Sequence, residues 1–259
     1  EVPLIVQSIA DSLIARISGR NRADAELEIY ACLFASGDAQ KRMLQAFAAA
    51  GKRHPLYARA ALSAGLISQE EALSYFFNFA DKTISLRDLS DFASVLTEEN
   101  AKRIFAEHIA SYGGVLTVDT DGDLEANLTV GYDRGRPASI AYDKNNDGVN
   151  EWSAVCDFGA PVSIWTGDWK IDYGTYPSVL KAEFTEQDSQ NHTSSFDFAD
   201  GAFLWSPFSM DVFREFKDDF GVDFFIPVVK NDDSLPDAAS LLRAASKYEV
   251  PSSERDGAT

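Results

Sequence analysis

Asp143-x-Asn145-x-Asp147-Gly148 places an oxygen-bearing side chain at alternate positions and then a glycine. Oxygens at the first, third and fifth positions of a loop converge on a hard cation, and glycine at the sixth permits the sharp turn that closes the loop. Calcium is the metal that this chemistry suits. The bidentate Glu expected at position twelve is absent, since Ala154 stands there, and Glu151 or Asn150 is left to supply a further oxygen. A related loop, Asp119-x-Asp121-Gly122-Asp123, lies upstream with Leu124 where glycine is wanted. Both loops are also ordinary Asp/Asn/Gly turn chemistry. The metal ligands expected from sequence are therefore Asp143, Asn145, Asp147 and Glu151, then Asp119, Asp121 and Asp123, around a weakly held calcium ion.

A second chemistry centres on tryptophan. Trp152, Trp165, Trp169 and Trp205 all fall in the second half of the chain. Trp165 and Trp169 flank Asp168, and indoles beside a polar group can stack a sugar ring. Asp168 and Asp172 could also form a glycosidase-like carboxylate pair, although solvated carboxylates explain them more simply. Other catalytic patterns are missing. His54, His108 and His192 each stand apart from any ligand or nucleophile motif, and there is no Gly-rich phosphate loop, G-x-S-x-G or H-E-x-x-H. Cys32 and Cys156 read as two buried thiols, Cys156 lying on a core face rather than serving as a nucleophile.

Charge is uneven. Residues 1–114 carry 12 basic and 14 acidic side chains, and residues 115–259 carry 11 and 27, giving a net charge of −18. Nucleic acid is an unsuitable partner, because phosphate binding needs clustered Lys and Arg. An acidic half suits divalent cations or basic partners. No uncharged run is long enough for a transmembrane helix. Glu1 opens the chain without a signal-like segment, which implies a processed or excerpted N-terminus.

The elements that position these groups follow from periodicity. A 24-residue pattern is written twice, over 119–142 and 143–166, each copy opening on an acidic loop and returning through Asp-x-Gly (Asp133-x-Gly135, Asp157-x-Gly159). Short aromatic-rich strands with turn signals between them predict an antiparallel β-meander over 115–230. Alternation puts Leu128, Val130 and Tyr132 on one face, with Trp152, Ala154 and Cys156 at the equivalent places. Ile140 and Ile164, with Ala138 and Val162, continue that face. Residues 1–114 instead read as helix: apolar spacing at Leu4, Ile5, Ile9, Leu13 and Ile17, then helices near 23–35, 41–50, 56–64 and 86–96, with one through Leu73, Phe76 and Phe77 and a last one through Ile104, Phe105 and Ile109. Ser68-x-x-Glu71 is a capping box, and Thr97 is the expected cap of the last of these helices. Ile67–Phe76 is echoed by Leu96–Phe105, 29 positions on. Further along, Met210–Phe220 suggests a short helix. Residues 231–259 read as a C-terminal helix, Ala238–Tyr248, and a polar tail. The fold class expected is α+β, an α-solenoid-like domain followed by a β-meander.

The run Gly65–Phe76, G-x-x-x-x-E-A-x-x-x-F, resembles a degenerate tetratricopeptide repeat over about one hairpin. That resemblance implies a scaffold holding protein or peptide segments along a groove. The tandem acidic loops with Asp-x-Gly returns resemble the acidic β-hairpin repeats of bacterial envelope and surface proteins, which implies binding or structural service in a periplasmic or exported setting. The expectation is a non-enzymatic binding or scaffolding protein with a protein partner. The alternatives are a carbohydrate-binding module and, behind it, a cell-envelope glycoside hydrolase.

Overall fold

In the computed structural model, residues 25–80, 82–185 and 193–230 are described, together with Ser12. The expected helices over 4–17 and 238–248 lie outside these residues. The described chain mixes seven helices with a nine-stranded and a two-stranded sheet. It divides into two compact units, Glu1–Leu116 with Glu215–Val222, and Thr117–Arg214 with Asp223–Thr259.

The first unit holds α1 (Ala25–Phe34), α2 (Gly37–Ala49), α3 (Leu56–Ser63), α4 (Gln69–Ala80), α5 (Leu86–Ala93), α6 (Glu99–Ala110) and nearly all of α7 (Arg214–Phe220). Gly37, at φ +58°, begins α2, which therefore starts earlier than the 41–50 expected. Alanines make the interior thin: Ala58, Ala60 and Ala61 of α3 are buried, so Leu44, Phe47 and Ile29 approach closely. Phe76 of α4 stacks on Phe92 of α5 at 4.1 Å. Phe105 of α6 packs against Phe216 and Phe220 of α7. A short strand β1 (Thr83–Ser85), too brief to show a period, precedes α5, and the Val115 N–H donates to the Lys82 carbonyl.

α3 lies beside α5, and α4 beside α6. Arg59 of α3 reaches Asp91 of α5 at 2.7 Å. Gln69 at the start of α4 sits at the start of α6, and Phe77 near the end of α4 stacks on His108 near the end of α6 at 4.2 Å. α4 and α6 therefore run in the same direction. The capping box forms as read, the Ser68 N–H donating to the Glu71 carboxylate and the Glu71 N–H to Ser68 Oγ. The cap of α6 is different from the Thr97 expected. Glu98 takes the N-cap position without a side-chain bond, and Gln69 Oε1 accepts both the Thr97 and Glu98 N–H groups at 3.0 Å. Gln69 is 8% exposed, and its Nε2 donates to Thr97 Oγ1. Gln69→Ala leaves these partly buried donors without an acceptor, so chemical denaturation should show a loss of about 1–3 kcal/mol. A loss below about 0.5 kcal/mol, the scatter of ordinary surface changes, would mean that water replaces the amide.

The second unit is built on strands that pair in chain order: β2 (Val115–Val118), β3 (Leu128–Asp133), β4 (Arg136–Tyr142), β5 (Trp152–Asp157), β6 (Ala160–Thr166), β7 (Trp169–Tyr173), β8 (Val179–Thr185) and β9 (Thr193–Asp197). From β3 to β9 every pairing is antiparallel. The two Asp-x-Gly returns are two-residue turns with both central residues at positive φ, Arg134-Gly135 and Phe158-Gly159. That geometry matches the twist of the flanking strands.

One face of this sheet is buried. Leu128, Val130, Tyr132, Ile140, Trp152, Ala154 and Ile164 lie on it as expected. Ala138 and Val162 do not continue it, and Pro137 and Pro161 are buried instead. The cause is a β-bulge. Gly131 pairs Ser139 while Tyr132 pairs Pro137, and Val155 pairs Ser163 while Cys156 pairs Pro161. One extra residue reverses the inside–outside alternation. The same bulge recurs at Leu180, where Asp172 pairs Lys181 and Tyr173 pairs Val179. β7–β8 is therefore a third hairpin of the same kind, which the 24-residue pattern does not reveal.

The buried face is covered by a hairpin of β10 (Phe208–Val212) and β11 (Phe225–Val229). Met210 and its neighbours are thus strand, with helix only from Arg214 on. Phe208 stacks on Trp152 at 4.8 Å and Phe224 on Tyr132 at 4.8 Å. Tyr132 Oη donates to the Phe225 carbonyl, and the Arg136 guanidinium lies over the Phe225 ring.

Candidate functional site

Two acidic loops leave the same end of the sheet, because one joins β2 to β3 and the other β4 to β5. They share one hydrogen-bond plan. The carboxylate at position one accepts the N–H of position six: Leu124 to Asp119 at 3.0 Å, and Gly148 to Asp143 at 2.8 Å. The carboxylate at position five accepts the N–H of position seven: Glu125 to Asp123 and Val149 to Asp147, both at 2.8 Å. The side chain at position nine accepts the N–H of position two: Thr120 to Asn127, and Lys144 to Glu151. Positions four and six have positive φ in both loops, at Gly122 (+85°) and Leu124 (+80°), and at Asn146 (+55°) and Gly148 (+88°). The equivalence read in the sequence is thus an equivalence of backbone.

The oxygens differ between the loops. Asp119, Asp121 and Asp123 each offer an oxygen, and all three lie within 4.8 Å of one another. Such a set can converge on a divalent cation. In the second loop Asn145 Nδ2 donates to Asp147 at 3.0 Å, so this pair is partly satisfied internally. Glu151 is committed to the Lys144 N–H. The N–H of Gly122, followed by those of Leu124 and Asp121, holds the Asp119 carboxyl below its ordinary value of 3.8. Asp119 therefore stays ionised at neutral pH, as a metal ligand must.

The tryptophan pair is separated by register. Trp165 pairs Lys170 and Thr166 pairs Trp169, so the two indoles point to opposite faces of the sheet. Trp165 is 40% exposed on the open face. Trp169 is half-buried on the covered side beside Phe184 and Phe196. Asp168 occupies the two-residue turn with Gly167, off the strand, and its carbonyl accepts the Thr185 N–H. Asp172 is engaged by Ser163 Oγ at 2.6 Å and Lys170 Nζ at 3.0 Å. Trp165, Trp169 and Asp168 are thus not brought onto one surface.

The remaining reactive groups are quiet. Burial pushes the Cys32 thiol up to about 11 and the Cys156 thiol up to about 12, so both are protonated at neutral pH. His54 Nδ1 accepts the Leu56 N–H at 3.2 Å, and His192 is outside the described residues.

In the helical unit a cleft of about 700 Å³ runs along the parallel pair α4 and α6. Leu73, Phe77 and Ile104 give it an apolar floor, while Glu70, Ser74 and His108 give it polar sides. The 29-residue echo signals this feature in the sequence, since both helices belong to it.

No protein-family model, no curated protein and no solved structure matches the chain.

Proposed function

We propose that this protein is a non-enzymatic binding protein of a bacterial envelope, whose helical hairpins form a short α-solenoid that holds a segment of a protein partner. The observation that carries the reading is the side-by-side, same-direction packing of α4 and α6, with the cleft along it. Up–down bundles place sequence-adjacent helices antiparallel around one core. Stacked repeats instead set equivalent helices parallel and expose a continuous groove. A partner segment lying against Leu73, Phe77 and Ile104 buries apolar surface, and Ser74 and His108 offer orienting hydrogen bonds. The second unit is a β-meander of three hairpins, two of them entered through acidic loops that bind calcium. Weak loops of this kind work where calcium is millimolar, which favours an exported location.

The test is a photo-crosslinking amino acid at Ser74, read in cells with and without Ile104→Glu. A discrete protein adduct is expected from Ser74 and should fall at least about tenfold with Ile104→Glu, a loss of 1.4 kcal/mol or more. An unchanged adduct pattern, or none, removes the cleft as a binding site.

A further inference from the structure

The sheet's second face, opposite the one closed by β10–β11, carries a register-aligned platform around Trp165. Across four neighbouring strands Ser153 pairs Trp165, Trp165 pairs Lys170, and Lys170 pairs Glu183. In the next row Ser163 pairs Asp172, and Asp172 pairs Lys181. These residues lie on strands rather than loops, so their spacing is set by the ladder at about 4.8 Å per strand.

We propose that this face binds a neutral, extended glycan, with the Trp165 indole as its stacking surface and the Lys170–Asp172–Glu183 group as its hydrogen-bonding edge. Three observations carry the assignment. First, the charged groups engage one another closely: Lys170 Nζ lies 3.0 Å from Asp172 and 4.0 Å from Glu183, and Lys181 Nζ lies 2.6 Å from Glu183, while Asp197 opposite Lys181 leaves the platform with one net negative charge. A polyanion is repelled there, whereas hydroxyl groups can use the remaining donors and acceptors. An ammonium has three N–H groups and a carboxylate about four lone-pair sites, so each retains capacity after its ion pair forms.

Second, Trp165 is 40% exposed on an interior strand, between the short Ser153 and the flexible stem of Lys170. An indole is costly to leave wet, and its apolar face suits the C–H face of a pyranose. Third, the strands beyond Trp165 present short side chains on this face, Ser139, Ala141 and Gly131, with the 45% exposed Val155 as an apolar neighbour of Ser139. An open floor of this kind fits a polymer laid across it better than a small molecule enclosed in a pocket. The sugar site read from sequence therefore changes membership: Trp165 stays, Trp169 and Asp168 leave, and Lys170, Asp172 and Glu183 enter.

The experiment titrates the protein with cellohexaose, chitohexaose, xylohexaose and maltohexaose, with polygalacturonate as the anionic comparison, following tryptophan fluorescence and heat. At least one neutral hexasaccharide should bind more tightly than polygalacturonate. Trp165→Ala should weaken that binding at least tenfold and Lys170→Ala severalfold. Trp169→Phe and Ile104→Glu should leave it unchanged, which separates this site from the helical cleft. Melting curves identify any variant that fails to fold, and Lys170→Ala then carries the comparison. Binding to none of the neutral glycans, preference for the polyanion, or unaltered affinity in Trp165→Ala and Lys170→Ala overturns the proposal.

Discussion

In about 10 mM calcium the protein should melt higher than in chelator, by about 5–10 °C. The two acidic loops share their backbone conformation and hydrogen bonds, so each holds its oxygens in a preset arrangement. Without a bidentate twelfth ligand, the affinity expected is that of the weak extracellular class, on the order of 10⁻⁴–10⁻³ M. A hundredfold excess over the tighter value adds about 2.7 kcal/mol for one site. The structure also ranks the loops. Asp119, Asp121 and Asp123 gather three carboxylates within 4.8 Å, whereas the second loop has an amide at its third position that donates to its fifth. Replacing all three of Asp119, Asp121 and Asp123 by Asn should remove most of the calcium-dependent rise. Asp143→Asn with Asp147→Asn should remove less. Leu124 adds a separate handle, because it holds φ +80° while 77% exposed. Leu124→Gly relieves backbone strain on the order of 1 kcal/mol and should raise the melting temperature in both buffers. Identical melting of the wild-type protein in calcium and in chelator would reduce both loops to turns.

The parts of this fold legible in the sequence are those that repeat locally. Asp133-x-Gly135 and Asp157-x-Gly159 mark two tight turns, and alternation names the buried residues of β3 and, in β5, Trp152 and Ala154, whereas Cys156, expected as a buried thiol, is only half-buried. Ser68 and Glu71 sit three residues apart and cap their own helix. What was not legible depends on partners distant in sequence. The bulges at Ala138 and Val162 exist only as a mismatch between paired strands, so reading one strand alone puts the wrong residue inside. The third hairpin escaped because its entry loop has shrunk to Gly167-Asp168 and its return has lengthened, destroying the 24-residue period while keeping the bulge. Trp165 and Trp169 look like neighbours along the chain, but a two-residue turn between them fixes the pairing that sends them to opposite faces. The cap of α6 comes from Gln69, 28 residues before Thr97, where no local rule would look.

The largest single-residue effect should come from the covering hairpin. A sheet with one wet face needs its other face closed, and here the closure turns on Phe208. This side chain is 0% exposed and stacks on Trp152 at 4.8 Å and on Tyr176 at 5.5 Å. Its backbone is held as well, with Tyr176 Oη donating to the Phe208 carbonyl at 2.6 Å. Phe208→Ala removes the ring but leaves that hydrogen bond, so the cavity is the main defect. Truncation of a buried Phe costs about 3–5 kcal/mol, a large part of the roughly 5–15 kcal/mol that keeps a domain folded. Phe208→Leu, which keeps most of the apolar volume, should lose clearly less. Phe208 and the acidic loops belong to the same compact unit. Calcium should therefore raise the variant's melting temperature from a lower starting point, because effects at separate sites add. A loss under about 1 kcal/mol for Phe208→Ala, typical of point substitutions in general, would mean that β10–β11 closes the sheet without stabilising it.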